Sequence, residues 1–155
     1  MKLQRQPNPY SCLATAFAMC LDIPVQSIFD EVGHDGTQVI FPTQKPPKAN
    51  RGFHLQELID ICDVRGYSVT EIQARPAIQT GDEIWDLPYA DPQVRFVDHL
   101  TGYPGVLVGY YLSSRQHAIA WDGQSVFDPA GYVTKIDQFR IISLYKIRQI
   151  SRLDV

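Results

Sequence analysis

Apolar residues at Leu13, Phe17, Cys20 and Leu21 recur at i, i+4, i+7 and i+8, which predicts an amphipathic helix over Ser11 to Leu21. Ser11 is suited to cap that helix, and no breaker interrupts it. Pro24 fits the first turn of a second, short helix carrying Ile28, Phe29 and Val32, with Gly33 as its stop. Asp35 to Gly52 collects Gly, Thr, Gln, Lys, Asn and three prolines, and reads as a long surface loop, a lid or rim. From about Phe53 to Arg65, Leu55, Leu58, Ile59 and Cys62 mark one face of a third helix, and Gly66 ends it.

Tyr67 to Ile72 reads as a strand, and Ala74 to His99 as an irregular stretch with a helical turn or two. Beyond Pro104 the pattern turns to β. Gly105 to Leu112, Gln116 to Trp121, Ser125 to Asp128 and Ile141 to Ile150 are rich in β-branched and aromatic residues. Helices first and strands later predict an α+β fold, with N-terminal helices packed on a C-terminal antiparallel sheet. No repeat, low-complexity tract or linker divides the chain, so residues 1–155 form one domain, the size expected of 155 residues.

Composition narrows the function classes. The chain is 45% hydrophobic and 20% charged, with a formal net charge of −3, so it has the means to build a core but lacks the basic excess that binds polyanions. Nucleic acid is not an expected partner. The longest apolar stretches fall far short of the roughly 20 residues that span a bilayer, and the N-terminus has no signal-peptide apolar core. These features predict a soluble, cytoplasmic protein without a membrane partner; they leave its oligomeric state open. Cys12, Cys20 and Cys62 are odd in number and form no Cys-x-x-Cys clip, which disfavours a disulfide framework or structural zinc and leaves at least one free thiol.

Cys12 falls in the first turn of the first helix, where unpaired N–H groups and the helix dipole favour a thiolate. Cys20 and Cys62 lie in register with apolar faces and read as small buried hydrophobes. A thiol nucleophile needs a base and a group that orients the base. His34, His54 and His99 read as surface or capping residues, and Asp30, Glu31 and His34, though spaced as metal ligands, form a triplet common on solvated helix faces. No metal or cofactor is called for. His117 stands apart. The strand-like runs on either side of Asp122-Gly123 predict a two-residue hairpin turn in which Trp121 faces Gln124 and His117 faces Asp128. Opposed residues bring imidazole and carboxylate within reach, in a register that a one-residue slip would destroy. Gln6, six residues before Cys12 and followed by Pro7-Asn8-Pro9-Tyr10, can supply a side-chain amide to a developing oxyanion.

Gln6, Cys12 opening a helix, and His117 and Asp128 late in a β half together resemble the layout of papain-like cysteine peptidases. The chain is most similar to the bacteriocin-processing, or double-glycine leader, peptidase domains and their stand-alone relatives. The six-residue Gln-to-Cys interval, the helix continuing through Ala18-Met19, the strand Gly105-Val106-Leu107-Val108 and the strand end Asp128-Pro129 agree with that group. The resemblance implies a papain-like fold and a peptidase acting on a peptide or protein. In it Cys12 is the nucleophile, His117 the general base and then acid, Asp128 the group orienting the ring, and Gln6 with the Cys12 N–H the oxyanion hole. Ser11 and Leu13 depart from the acidic residue and glycine usual around the nucleophile, so a double-glycine preference does not carry over. A glutamine deamidase or acyl transferase on the same scaffold, and an idle binding or inhibitory module, are the competing readings.

Overall fold

The computed structural model describes residues 1–41, 48–74, 77–80, 83–86, 92–111 and 115–150. Its first helix, α1 (Cys12–Leu21), starts where Asn8 turns the chain. The Asn8 carbonyl accepts from Ser11 N–H at 3.3 Å and from Ser11 Oγ at 3.0 Å, while the Asn8 side chain accepts from Tyr10 N–H at 2.9 Å. Ser11 occupies the N-cap position, yet its hydroxyl turns back on Asn8 and makes no cap bond, contrary to the sequence expectation. The helix is also more deeply buried than an amphipathic stripe requires. Ala14, Thr15, Ala16, Phe17, Ala18, Met19 and Leu21 are all buried, the small residues allowing neighbours to close on several sides.

Gln4 straps the N-terminal segment to the next helix, α2 (Val25–Val32), accepting from Val25 N–H at 2.9 Å and donating to the Ile23 carbonyl at 2.7 Å. Pro24 stands at the N-cap, one position earlier than expected, and Gly33 closes the helix with φ 81°. The third helix, α3 (Leu55–Val64), opens on a capping box formed by His54 and Glu57. Between these helices the expected loop contains a two-stranded antiparallel ladder, β1 (Val39–Phe41) with β2 (Lys48–Asn50). Its alternation is too short to stand out from the surrounding prolines.

Strand β3 (Tyr67–Gln73) follows α3, as expected. The stretch from Ala74 to His99 holds the paired strands β4 (Ala77–Thr80) and β5 (Glu83–Asp86), which were not expected, and then, where a helical turn or two was expected, helix α4 (Pro92–Leu100). The remaining strands are β6 (Gly105–Tyr111), β7 (His117–Trp121), β8 (Val126–Asp128), β9 (Tyr132–Thr134) and β10 (Phe139–Gln149). With β3 they make a six-stranded antiparallel sheet in the order β3-β10-β6-β7-β8-β9.

Side-chain alternation gives this sheet two apolar faces. Val106, Ala118, Ala120, Tyr145 and Ile147 join the residues of α1, α2 and α3 in the larger core. Leu107, Ile119, Trp121, Val126 and Leu144 form a second cluster with Phe96 of α4, and the Trp121 indole donates to the Leu100 carbonyl at 2.9 Å. The chain is thus mixed α and antiparallel β, with helices on both faces of the sheet rather than the N-terminal ones alone. Among the described residues no single helix is long and apolar enough to cross a membrane; α1 and α2 pass only as a pair bent by 114°.

Candidate active site

Three elements from opposite ends of the chain meet at one place. Cys12 is the first residue of α1, His117 the first of β7 and Asp128 the last of β8. The His117 Nε2 and Asp128 Oδ1 atoms are 2.8 Å apart. The Cys12 thiol lies within the electrostatic reach of the His117 side chain and the Ala118 backbone, both of which favour its charged form. With Nε2 engaged by the carboxylate, Nδ1 is the ring nitrogen available to the thiol.

The hairpin that makes this pairing is not in the predicted register. Ala120 faces Phe127 and Trp121 faces Val126, so Asp122 to Ser125 form a four-residue connection in place of a two-residue turn. Asp122 causes the difference. Its carboxylate accepts from Gln124 N–H at 2.8 Å and Ser125 N–H at 2.7 Å, stabilising a wider turn, while Gly123 takes φ 102°. The register is displaced by two residues, and a shift of two returns every side chain to its original face. His117 and Asp128 therefore meet diagonally across the strands instead of directly opposite, which still lies within reach of an imidazole.

Asp128 is fully buried. Burial resists its ionisation, but the hydrogen bonds from His117, from Ala130 N–H at 2.8 Å and from the Tyr111 hydroxyl at 2.9 Å hold the carboxyl below its ordinary value. Burial likewise opposes charge on His117, yet its bonds to Asp128 and Cys12 raise its pKa to about 9. For Cys12 burial works against the thiolate, and the His117 contact together with backbone hydrogen bonds from Ala118 and Leu13 outweighs it, lowering the pKa. The arrangement favours a thiolate beside an imidazolium, at a helix N-terminus whose N-cap side chain takes none of its amides. Such a pair provides a nucleophile and a returnable proton.

Gln6 is brought to the same region. Its N–H donates to the Pro129 carbonyl at 2.8 Å, directly after Asp128, and its Nε2 donates to the Asn8 carbonyl at 3.0 Å. Oε1 of the same amide is buried with no hydrogen-bond partner. The two ends of the segment 35–52 rest on the turn that precedes Cys12: Asn8 donates to the Asp35 carbonyl at 2.8 Å, and the Arg51 guanidinium lies 5.0 Å over the Tyr10 ring. Residues 42–47 of that expected lid lie outside the described residues.

The other candidates stand elsewhere. His34 pairs with Glu57 at 2.9 Å, His54 caps α3, and His99 lies 2.9 Å from Lys146 Nζ. Glu31 pairs with Arg65 and Asp30 accepts from Gln26, so the Asp30, Glu31 and His34 triplet is dispersed among different partners. Burial pushes the thiols of Cys20 and Cys62 up to about 12. Of the aromatics in and just after the Ala74–His99 stretch, Phe96 is buried and Tyr103 is 40% exposed. Two site residues escaped the sequence reading: Tyr111 at the end of β6, whose hydroxyl donates to Asp128, and Tyr132 on β9, the cross-strand neighbour of Asp128. The strand β6 was legible, but nothing in a single strand says which partner its last tyrosine meets. The chain matches no protein-family model, and no curated protein is significantly similar to it.

Proposed function

We propose that the protein is a cytoplasmic cysteine peptidase of papain-like fold that hydrolyses a peptide or isopeptide bond. The observation that carries this reading is the continuous chain from the Cys12 thiol through the His117 ring to the buried Asp128 carboxylate. The Cys12 thiolate attacks the scissile carbonyl carbon, and the carbonyl oxygen gains the charge. The Cys12 N–H and the second N–H of Gln6 Nε2 are the donors suited to that oxyanion. Collapse of the tetrahedral intermediate expels the amine, which takes a proton from the His117 imidazolium and leaves a thioester on Cys12. Neutral His117 then removes a proton from water, hydroxide adds to the thioester, and the carboxylic acid departs with the thiolate regenerated. Asp128 keeps the ring oriented through both steps.

Deamidation of glutamine, or transfer to an acceptor other than water, would use the same thioester. Incubation with a peptide library, followed by mass spectrometry and compared with Cys12→Ala, tests the proposal. Cleavage by the unchanged protein and none by the variant is expected. Cleavage that persists in Cys12→Ala, or its absence from both, would overturn the peptidase reading. Conversion of glutamine to glutamate without chain scission would replace it with deamidation.

A further inference from the structure

We infer that Tyr111 is a positioning residue of this site: its hydroxyl, bonded to Asp128 Oδ2, fixes the carboxylate so that Oδ1 can orient the His117 ring. The inference rests on the proposed Cys12 and His117 pair. Asp128 has no contact with solvent, so its lone pairs depend on protein donors. Oδ1 receives His117 Nε2 and Ala130 N–H, both at 2.8 Å, and Oδ2 receives the Tyr111 hydroxyl at 2.9 Å. The Tyr111 ring is fixed in turn by an edge contact with Phe139, with centroids 5.0 Å apart at 75°. At Gly109, two residues before Tyr111, any Cβ would fall 1.9 Å from the Arg140 carbonyl oxygen, so the chain there admits only glycine and holds β6 tightly against β10. Tyr132 is the cross-strand neighbour of Asp128, but it is 47% exposed, and water can take its place.

The charged and titratable groups around Asp128 are His117 from β7, Tyr111 from β6 and Tyr132 from β9. Cys12 of α1 lies beyond the ring, and the Arg5 side chain passes Gly131. Phe139 is the uncharged contribution of β10. Without the Tyr111 hydroxyl, Oδ2 loses its buried donor, the carboxyl takes up a proton more readily, and in that form it supports the imidazolium poorly. The Cys12 thiolate should then form at higher pH.

Tyr111→Phe preserves the ring and removes only the donor. The rate of Cys12 alkylation by iodoacetamide, followed against pH in the full chain, should show its acid limb displaced upward. Alkylation near pH 6 should be roughly three- to tenfold slower than in the unchanged protein, with a larger displacement in Asp128→Asn and a smaller one in Tyr132→Phe. A second readout approaches the same bond from its other end: in Asp128→Asn the phenol absorbance should gain a tyrosine that ionises at lower pH, because burial and the Asp128 charge together hold Tyr111 above its ordinary value. An unmoved limb in Tyr111→Phe while Asp128→Asn shifts it would overturn the role of Tyr111 alone. No shift in Asp128→Asn or His117→Asn would instead overturn the site on which the inference rests.

Discussion

The two ends of α1 carry the same side chain in opposite electrostatic circumstances. Cys12 opens the helix, facing the His117 ring and backbone donors, and its thiol is held low despite burial. Cys20, in the last turn, is likewise half-buried, but its sulfur donates to the Gly105 carbonyl at 3.3 Å, and burial pushes it up to about 12. A cysteine in apolar surroundings is thus inert by default. Reactivity requires an imidazolium and a helix N-terminus at the same point. Burial is shared by both ends, so the difference lies in what the fold places opposite each sulfur.

The strongest test of this contrast is removal of each thiol. Cys12→Ala should lower turnover on any cleaved peptide by roughly 10³-fold or more, while Cys20→Ala leaves the rate per folded molecule within about twofold. Equal losses in an assay of kcat on folded protein would erase the distinction. Next comes Asp128→Asn, which should reduce kcat by roughly 10²-fold with the domain still folded by circular dichroism. Unchanged turnover would deny Asp128 an orienting role. His117→Ala should raise the pH midpoint of Cys12 alkylation toward the ordinary thiol value, since the thiolate loses its counter-ion.

The smallest effect concerns stability against pH. His117, with a pKa raised from 6.5 to about 9, contributes stability that is complete below 6.5 and lost as pH rises through about 9. Cys12, with a lowered pKa, contributes stability that is gained as pH rises toward its unfolded value of 9.0. Where both shifts act, the proton that folding adds to His117 and the one it removes from Cys12 oppose each other, so the two slopes offset. Cys12→Ala removes the compensation together with part of what raises His117, so its stability relative to the unchanged protein should fall as pH rises above 6.5, by on the order of 1 kcal/mol. Parallel denaturation curves across that range would show that the two groups are not coupled.

Much of the fold was legible where one periodicity ran long enough. The helices around Phe17, Ile28 and Leu58 and the strands around Leu107, Ile119 and Leu144 follow from apolar spacing alone. The strands β4, β5 and β9 were hidden because three or four residues give too little alternation to separate from a turn. Site geometry was legible for a subtler reason. The connection between Trp121 and Val126 is longer than Asp122-Gly123 suggests, because the Asp122 side chain bonds the following backbone, yet the period of two restored His117 and Asp128 to a common face. Tyr111 was illegible because its contact with Asp128 depends on the tertiary meeting of β6 with the end of β8.

The central claim is that folding places the Cys12 sulfur, and neither of the other two, against an imidazolium. Site-resolved alkylation of the intact folded chain by iodoacetamide at pH 6.5, with each thiol quantified by mass spectrometry, measures this directly. Cys12 should be modified at least tenfold faster than Cys20 or Cys62, and unfolding in urea should abolish the difference. Equal rates for all three thiols in the folded protein would contradict the account.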